Sequence, residues 1–246
     1  MINFKDKKIL ITGATGGIGK ALVKKFLSLD GNVLATGTKI EKLDALKKEF
    51  PKINVLKFDI SDHSKIEEFI ENVSSQLTGL DILVNNAAAN PYFGHVLDTD
   101  LGAYNKTVEV NIRGYFFMSI EAGKLMRENG GGSIVNTASV NGMHPGPGQG
   151  IYSISKAAVI NMTKTFAREC APFNIRCNAL LPGLTKTKFA GALFNHDEFY
   201  QEAIKSIPMS RHAEPKEMAG TVLYLASNAS SYTTGECIVV DGGMYA

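Results

Sequence analysis

The chain has 246 residues, of which 44% are hydrophobic, enough to bury the core of one large α/β domain or of two small ones. Its 26 Lys and Arg residues nearly balance its 24 Asp and Glu residues. A net charge of +2 is too small to indicate nucleic acid or an anionic membrane as a partner. No internal repeat and no linker rich in Pro, Gly and Ser divides the chain, so we expect a single domain over residues 1–246.

Targeting signals and metal motifs are absent from the sequence. The N-terminus lacks the apolar segment of a signal peptide, and no run of about 18 apolar residues could span a bilayer. Cys170, Cys177 and Cys237 are scattered without CxxC spacing, which indicates buried free thiols. The five histidines show no paired-ligand spacing either. We therefore expect a cytoplasmic protein without a bound metal.

Short apolar runs alternate with amphipathic stretches along most of the chain. Runs typical of strands occupy residues 8–12, 32–36, 53–58, 81–85, 133–137, 175–180 and 237–240. Helical periodicity occupies residues 17–29, 39–50, 64–77, 114–129, 151–170 and 215–226. Strands that alternate with helices predict an α/β fold: a Rossmann-type, doubly wound parallel sheet of about seven strands with helices on both faces. Ligands of such sheets bind beyond the C-terminal ends of the strands.

A glycine-rich turn follows the first predicted strand and leads into the first predicted helix. Gly13, Gly17 and Gly19 have the spacing G-x-x-x-G-x-G. Glycines allow the backbone to approach a phosphate, and a helix N-terminus offers free N–H groups and a positive dipole end. The required Gly-Lys-Ser/Thr is missing, which argues against a P-loop NTPase. The predicted cofactor-binding residues of this turn are Gly13, Thr15, Gly16, Gly17, Ile18 and Gly19.

The end of the second predicted strand bears on the choice of dinucleotide. NAD enzymes often place an acidic side chain here against the ribose 2′-hydroxyl, but residues 35–39 include no carboxylate. Thr38 and Lys39 could instead bind a 2′-phosphate through a hydroxyl and a positive charge. The sequence therefore favours NADP(H), with NAD(H) as the alternative.

Tyr152 and Lys156 are four residues apart in a predicted helix and therefore share one helix face. A nearby ammonium favours phenolate, so we expect Lys156 to lower the pKa of Tyr152 from its usual value of about 10. Such a phenol could act as an acid or base on a carbonyl or alcohol, and the Ser139 hydroxyl could bind the same oxygen.

Taken in order along the chain, these motifs resemble those of the short-chain dehydrogenase/reductase family. The resemblance extends from Lys8 to Gly243 and is carried by the segment TGATGGIG, Asn85-Asn86-Ala87-Ala88, Asn111, Ser139, Tyr152-x-x-x-Lys156 and Pro182-Gly183. It implies an NAD(P)(H)-dependent oxidoreductase that interconverts a ketone or aldehyde with an alcohol by hydride transfer. Ala88 departs from the family pattern, which has glycine at that position.

The resemblance also implies roles for individual residues. Tyr152 would be the acid/base, Ser139 would bind the substrate oxygen, and Lys156 would bind the nicotinamide ribose and lower the Tyr152 pKa. Asn111 would kink its helix and hold a water for proton relay. Further cofactor contacts are implied for Asp59, Ile60, Asn86, Ala87, Ala88, Pro182, Gly183, Thr185 and Thr187.

Three segments are expected to surround the substrate: residues 90–95, 142–150 and 185–206. The third segment is rich in aromatic residues and could form an apolar lid or pack as a helix face on the body of the protein. Besides Ser139, the candidate substrate-binding residues are Asn90, Tyr92, His144 and Phe189.

The sequence resembles two subgroups of the family in different segments. Residues 90–94 are more similar to general NADPH carbonyl reductases, whereas the overall length and the ending are similar to the 3-oxoacyl-carrier-protein reductases of fatty acid synthesis. The latter use arginines to bind their acidic carrier, and the corresponding positions here are Gly130 and Phe173. This favours a small or medium carbonyl or alcohol substrate.

A catalytically silent nucleotide-binding scaffold is a third interpretation, which the four candidate catalytic residues argue against. The resemblance also implies a homotetramer that pairs through helices 114–129 and 151–170.

Overall fold

The computed structural model describes residues 2–189, 191 and 197–246. Within them, seven parallel strands form one sheet in the order β3-β2-β1-β4-β5-β6-β7. The strands are β1 Lys8–Ile11, β2 Asn32–Gly37, β3 Asn54–Lys57, β4 Ile82–Asn85, β5 Gly132–Thr137, β6 Ile175–Pro182 and β7 Cys237–Val240. This confirms the predicted fold class, and each predicted strand is present with its ends shifted by at most two residues.

Helices connect the strands and cover both faces of the sheet. They are α1 Gly17–Leu27, α2 Ile40–Glu49, α3 Ile66–Leu77, α4 Leu101–Val108, α5 Tyr115–Glu128, α6 Gly150–Cys170, α7 Asp197–Lys205 and α8 Pro215–Ala226. A π-helical segment, Glu109–Gly114, joins α4 to α5. All six predicted helices are present. Of the other two, α4 was not predicted, and α7 lies in the segment that was expected to form a lid or a packed helix face. Of the predicted lid over residues 185–206, residues 190 and 192–196 lie outside the described part of the chain.

The core has two layers because successive side chains of a strand point to opposite faces of the sheet. In β1, Leu10 packs in the layer formed with α3, α5 and α6, whereas Ile9 and Ile11 pack in the layer formed with α1 and α8. Burial on both faces explains why the strands appear in the sequence as continuous apolar runs rather than alternating ones. Among the described helices, none is long and apolar enough to cross a membrane.

The order of connection reverses between β1 and β4, which lie side by side at the centre of the sheet. At such a switch point the loops that follow the two strands diverge and leave a crevice. Here the glycine-rich turn after β1 approaches the loop after β4 very closely: a Cβ on Gly13 would lie 2.7 Å from the Cα of Ala87. Gly13 also has a φ of +61°, which glycine adopts without strain.

Candidate active site

A cleft of about 770 Å³ lies along the C-terminal edge of the sheet. It is lined by every predicted cofactor-binding residue except Lys39, that is by Gly13, Thr15, Gly16, Gly17, Ile18, Gly19, Thr38, Asp59, Ile60, Asn86, Ala87, Ala88, Tyr152, Lys156, Pro182, Gly183, Thr185 and Thr187. Lys39 is exposed immediately before α2, beside Thr38, and does not line the cleft. Its side chain is exposed to solvent there, and its binding of a 2′-phosphate stays a prediction.

The glycine-rich turn is held against the end of β4 by side-chain hydrogen bonds. Thr12 Oγ1 accepts from the backbone N–H groups of Asn86 and Ala87, at 2.9 and 3.0 Å. In return, Asn86 Nδ2 donates to the carbonyl oxygens of Thr12 and Gly13. Gly16 precedes α1 without a capping side chain, and the first turn of α1 has no acidic residue. This helix end, which lines the cleft, therefore has the features of an anion site.

At the end of β3, Asp59 forms a small polar cluster with two residues. Its carboxylate accepts from the backbone and hydroxyl of Ser61, at 3.0 and 2.7 Å, and lies 3.6 Å from Lys106 Nζ. Partial burial favours the neutral carboxyl, but the Ser61 hydrogen bonds and the Lys106 charge outweigh it and hold the pKa of Asp59 below its usual value. Lys106 is a cleft residue that was not predicted from the sequence.

Tyr152 and Lys156 lie on α6 and face Ser139, which follows β5. Lys156 is only 1% exposed. Its ammonium donates to the carbonyl of Thr137 at 2.7 Å and lies 5.6 Å from the centre of the Tyr152 ring. The Ser139 hydroxyl forms a hydrogen bond with Tyr152 and accepts from the backbone N–H of Asn141 at 3.1 Å. The structure thus brings together the three residues that the sequence singled out.

The electrostatics of this cluster differ from the expectation that Lys156 lowers the Tyr152 pKa. Burial raises the pKa of Tyr152 to about 12, and the hydrogen bond with Ser139 offsets this only in part. Burial also lowers the pKa of Lys156 to about 7, so this group is only partly charged at neutral pH. The predicted lowering is therefore wrong for the protein's own residues, because desolvation of both groups outweighs their proximity.

Asn111 lies in the π-helical segment and is fully buried. Its side-chain oxygen accepts from Ala89 N at 2.8 Å, and its amide donates to Ala89 O at 2.9 Å and to Ser155 Oγ at 3.0 Å. Asn111 therefore ties the loop after β4 to α6, the helix that carries Tyr152. The side chain does not line the cleft, and the roles implied for Asn111 in kinking the helix and holding a water stay predictions.

The predicted substrate residues separate into two groups. Asn90 and Phe189 line the cleft, and the Phe189 ring lies 5.8 Å from that of Tyr152. Tyr92 and His144 do not line it, and their contact with a substrate stays a prediction. The Tyr92 hydroxyl turns back to donate to the carbonyl of His95, and the His144 ring stacks on Tyr245.

Phe93, Gln149 and Glu202 also line the cleft and lie in the three segments that were expected to surround the substrate. Asn141, Met244 and Tyr245 line it as well and were not predicted from the sequence. Met244 and Tyr245 follow β7, and the rule that ligands bind beyond the C-terminal strand ends could have located them.

Three buried oxygens in the cleft lining have no hydrogen-bond partner among the described residues. They are Thr36 Oγ1, Asn90 Oδ1 and Thr137 Oγ1. Unpaired polar atoms are costly when buried, and a ligand with hydroxyl and amide groups would satisfy them. Together with the glycine cradle and the open end of α1, they fit a dinucleotide. The described residues contain no cluster of three metal-ligating side chains.

Comparison with known proteins assigns the chain to a family. A family model described as Enoyl-(Acyl carrier protein) reductase matches residues 13–245. The human protein "Dehydrogenase/reductase SDR family member 4" is 34% identical over 242 residues, which cover 97% of this chain and 87% of that protein. The chain belongs to the short-chain dehydrogenase/reductase family of oxidoreductases. This family uses NAD(P).

Other short-chain dehydrogenases/reductases are similar along their whole length. The 3-oxoacyl-[acyl-carrier-protein] reductase FabG of Thermotoga maritima is 36% identical over 249 residues, covering 99% of each chain. A crystal structure of a gluconate 5-dehydrogenase from Burkholderia cenocepacia, in complex with NADP and tartrate, superposes with a TM-score of 0.94 at 27% identity. That match covers 99% of this chain and 96% of the other.

Proposed function

We propose that this short-chain dehydrogenase/reductase interconverts a small or medium ketone or aldehyde with the corresponding alcohol, with Tyr152 as acid/base. One observation carries the proposal: Ser139, Tyr152 and Lys156 meet in the same cleft as the glycine-rich turn. A carbonyl compound bound at Ser139 would therefore lie beside the reactive end of a dinucleotide bound along the turn.

The cofactor, when bound, supplies or accepts the hydride. The glycine-rich turn would hold its phosphates, and Gly13 and Gly19 allow this turn to pack closely, since a side chain on either would collide with the surrounding backbone. Asp59 would accept from the adenine, and Lys156 would donate to the ribose beside the nicotinamide. Thr187, whose methyl group packs closely on Gly17, would contact the nicotinamide end.

The proton is moved by the protein's own groups. During reduction Tyr152 donates its proton to the carbonyl oxygen, and during oxidation it accepts the proton of the alcohol. Ser139 holds that oxygen by a hydrogen bond. Lys156, with a pKa of about 7, can exchange a proton at neutral pH and so help to restore the protonation state of Tyr152. Asn111 would hold the loop after β4 and α6 together through its three side-chain hydrogen bonds.

We further propose a preference for NADP(H) over NAD(H). Thr38 lines the cleft, Lys39 is exposed beside it, and β2 ends without a carboxylate that would repel a 2′-phosphate. In fluorescence titrations NADPH should bind more tightly than NADH, and Lys39→Glu should weaken NADPH about tenfold or more while NADH changes little. Lys42→Glu, a matched charge reversal farther along α2, should leave the ratio unchanged. Equal affinities in the parent protein would contradict this preference.

An alternative is a 3-oxoacyl-[acyl-carrier-protein] reductase, the activity named for the Thermotoga relative. Against it, Gly130 and Phe173 occupy the positions implied for carrier-binding arginines. In its favour, Arg127 could partly replace the first of these arginines, and its guanidinium lies over Phe173 at 5.3 Å. A turnover panel of ketones, alcohols and acyl thioesters with both nicotinamides, followed by the absorbance of reduced cofactor, tests the proposal. Simple activated ketones should be turned over at least as well as acetoacetyl thioesters. A thioester that is better by orders of magnitude would favour the alternative, and no turnover of any compound would favour a silent scaffold.

We also propose a homotetramer. In its support, apolar side chains are exposed on neighbouring helices, namely Leu101 on α4, Phe116 and Phe117 on α5, and Ile154 on α6. Light scattering would measure the mass of the assembly, and a monomer mass at micromolar concentration would contradict this assembly.

A further inference from the structure

The end of the chain forms one wall of the cleft. Met244 and Tyr245 follow β7 and line the cleft together with Ser139 and Tyr152. The Asp241 carboxylate fixes this tail, because it accepts from the backbone N–H groups of Gly243 and Tyr245 at 2.9 and 3.0 Å. Tyr245 is therefore held in place by the turn that precedes it.

Two further contacts brace the tail from either side. Gly242 and Gly243 have φ values of +70° and +87°, and the carbonyl of Gly242 accepts from Met209 N, which follows the lid segment. On the other side, the Tyr245 ring stacks on His144 with ring centroids 4.3 Å apart and planes 15° apart. His144 belongs to the loop that follows Ser139. Tyr245 thus links the catalytic loop, the lid segment and the last strand.

The charges of the cleft argue against an anionic substrate. Of the charged residues in the described lining, Asp59 and Lys106 pair with each other, and Lys156 belongs to the catalytic cluster. The fourth, Glu202 on α7, is a carboxylate and would repel an anion. Lys186 and Lys188, at the start of the lid segment, are exposed and do not line the cleft. The described lining therefore offers a substrate carboxylate no uncommitted cation.

The remaining side chains near the catalytic cluster suit a neutral, partly flat molecule. Phe93, Phe189 and Tyr245 contribute three aromatic rings, and Phe189 lies 5.8 Å from the ring of Tyr152. Neutral amides from Asn90, Asn141 and Gln149 supply hydrogen-bonding groups without charge. Aromatic rings gain from packing against other rings beyond the area that they bury.

We propose that Tyr245, braced by His144 and Asp241, is a specificity-determining residue, and that the substrate is a neutral ketone or secondary alcohol whose flat apolar group packs against the Tyr245 ring. This inference rests on the proposed carbonyl–alcohol function. It assigns His144 the role of a positioning residue that acts through Tyr245.

Three carbonyl compounds test the proposal with NADPH: acetophenone, which has an aromatic ring; 2-butanone, which is small; and 4-oxopentanoate, which is anionic. In the parent enzyme kcat/KM for acetophenone should exceed that for each of the others by about tenfold or more. Tyr245→Ala should lower kcat/KM for acetophenone about three- to tenfold while 2-butanone changes less than about twofold. Tyr245→Phe keeps the ring and should retain the parent's selectivity.

His144→Ala leaves the cleft lining intact. Like Tyr245→Ala, it should lower kcat/KM for acetophenone relative to 2-butanone, but by a smaller factor and chiefly through a higher KM for acetophenone. It also tests the proposal if Tyr245→Ala fails to fold. Tyr232→Ala, which removes a fully exposed ring away from the cleft, is the matched control. It should not change kcat/KM for acetophenone relative to that for 2-butanone or 4-oxopentanoate.

The outcomes separate this inference from the proposed function. If the parent reduces ketones but Tyr245→Ala lowers kcat/KM for acetophenone and for 2-butanone by the same factor, Tyr245 has only a structural role and the inference is overturned. A parent that prefers 4-oxopentanoate also overturns it while the proposed function stands. If the parent binds NADPH but turns over no carbonyl compound or alcohol, the proposed function fails and the inference with it.

Discussion

The substitution Asn111→Ala tests how the π-helical segment supports the site. The Asn111 side chain makes three hydrogen bonds, two to the backbone of Ala89 and one to Ser155 Oγ. Alanine removes all three and leaves an N–H and a C=O of Ala89 without their partner, whereas the Ser155 hydroxyl still donates to Tyr152 O. A buried polar group that loses its partner costs about 1–3 kcal/mol. Allowing for some relaxation, we expect the free energy of unfolding to fall by about 2–4 kcal/mol.

Urea denaturation of the parent and the variant measures this loss. Asn105→Ala, on the exposed side of α4, is the matched control and should stay within about 0.5 kcal/mol of the parent. Asn111→Asp should not rescue stability, because a carboxylate can accept from Ala89 N but places an oxygen against Ala89 O. Ketone turnover by Asn111→Ala should also fall, since Asn90 in the cleft follows Ala89 directly. If Asn111→Ala were as stable as Asn105→Ala, this account of the segment would be refuted.

Two further predictions concern a buried charge and a close backbone contact. Burial lowers the pKa of Lys156 to about 7, whereas a lysine of the unfolded chain titrates near 10.4, so the unfolded state binds more protons between these values. This difference should raise the parent's free energy of unfolding as the pH rises through this window. Measured by urea denaturation, the free energy of unfolding of the parent should therefore increase relative to that of Lys156→Met from pH 6.5 to pH 9.5. A difference between the two proteins that stays constant over this range would contradict the prediction. A Cβ on Gly114 would lie 2.9 Å from the carbonyl oxygen of Ile60, while one on Gly123 in α5 would meet nothing within 4 Å. Gly114→Ala should therefore destabilise the protein by about 1–3 kcal/mol. Gly123→Ala should stabilise it by about 0.5–1 kcal/mol. Thermal or urea unfolding in which the two variants change stability in the same direction would contradict this prediction.

Much of the fold could be predicted because its strands are buried on both faces. Residues such as Ile9, Leu10 and Ile11 form continuous apolar runs, and the alternation of such runs with helices leaves few possible topologies. The position of the cleft could be predicted because ligands of doubly wound sheets bind beyond the C-terminal ends of the strands. Helix α4 was missed because apolar residues such as Leu101 and Tyr104 remain exposed on it, so its sequence lacks a clear buried stripe.

Properties that depend on tertiary burial could not be obtained from spacing. The spacing of Tyr152 and Lys156 predicts their proximity but not their desolvation, which reverses the expected shift of the Tyr152 pKa. The stacking of His144 on Tyr245 could not be predicted either, because the two residues are about a hundred positions apart in the chain. Contacts between such distant segments leave no local pattern in a single sequence.

Replacement of Tyr152 by phenylalanine tests the proposed acid/base role most directly. Phenylalanine keeps the ring that packs beside Phe189 and Lys156 and removes only the hydroxyl. The measurement is kcat for the preferred ketone in the Tyr152→Phe variant, with the NADPH dissociation constant determined on the same preparation. We predict that the dissociation constant stays within about threefold of the parent while kcat falls by about 10²–10⁴. A variant that retained activity within a few-fold of the parent would contradict the account.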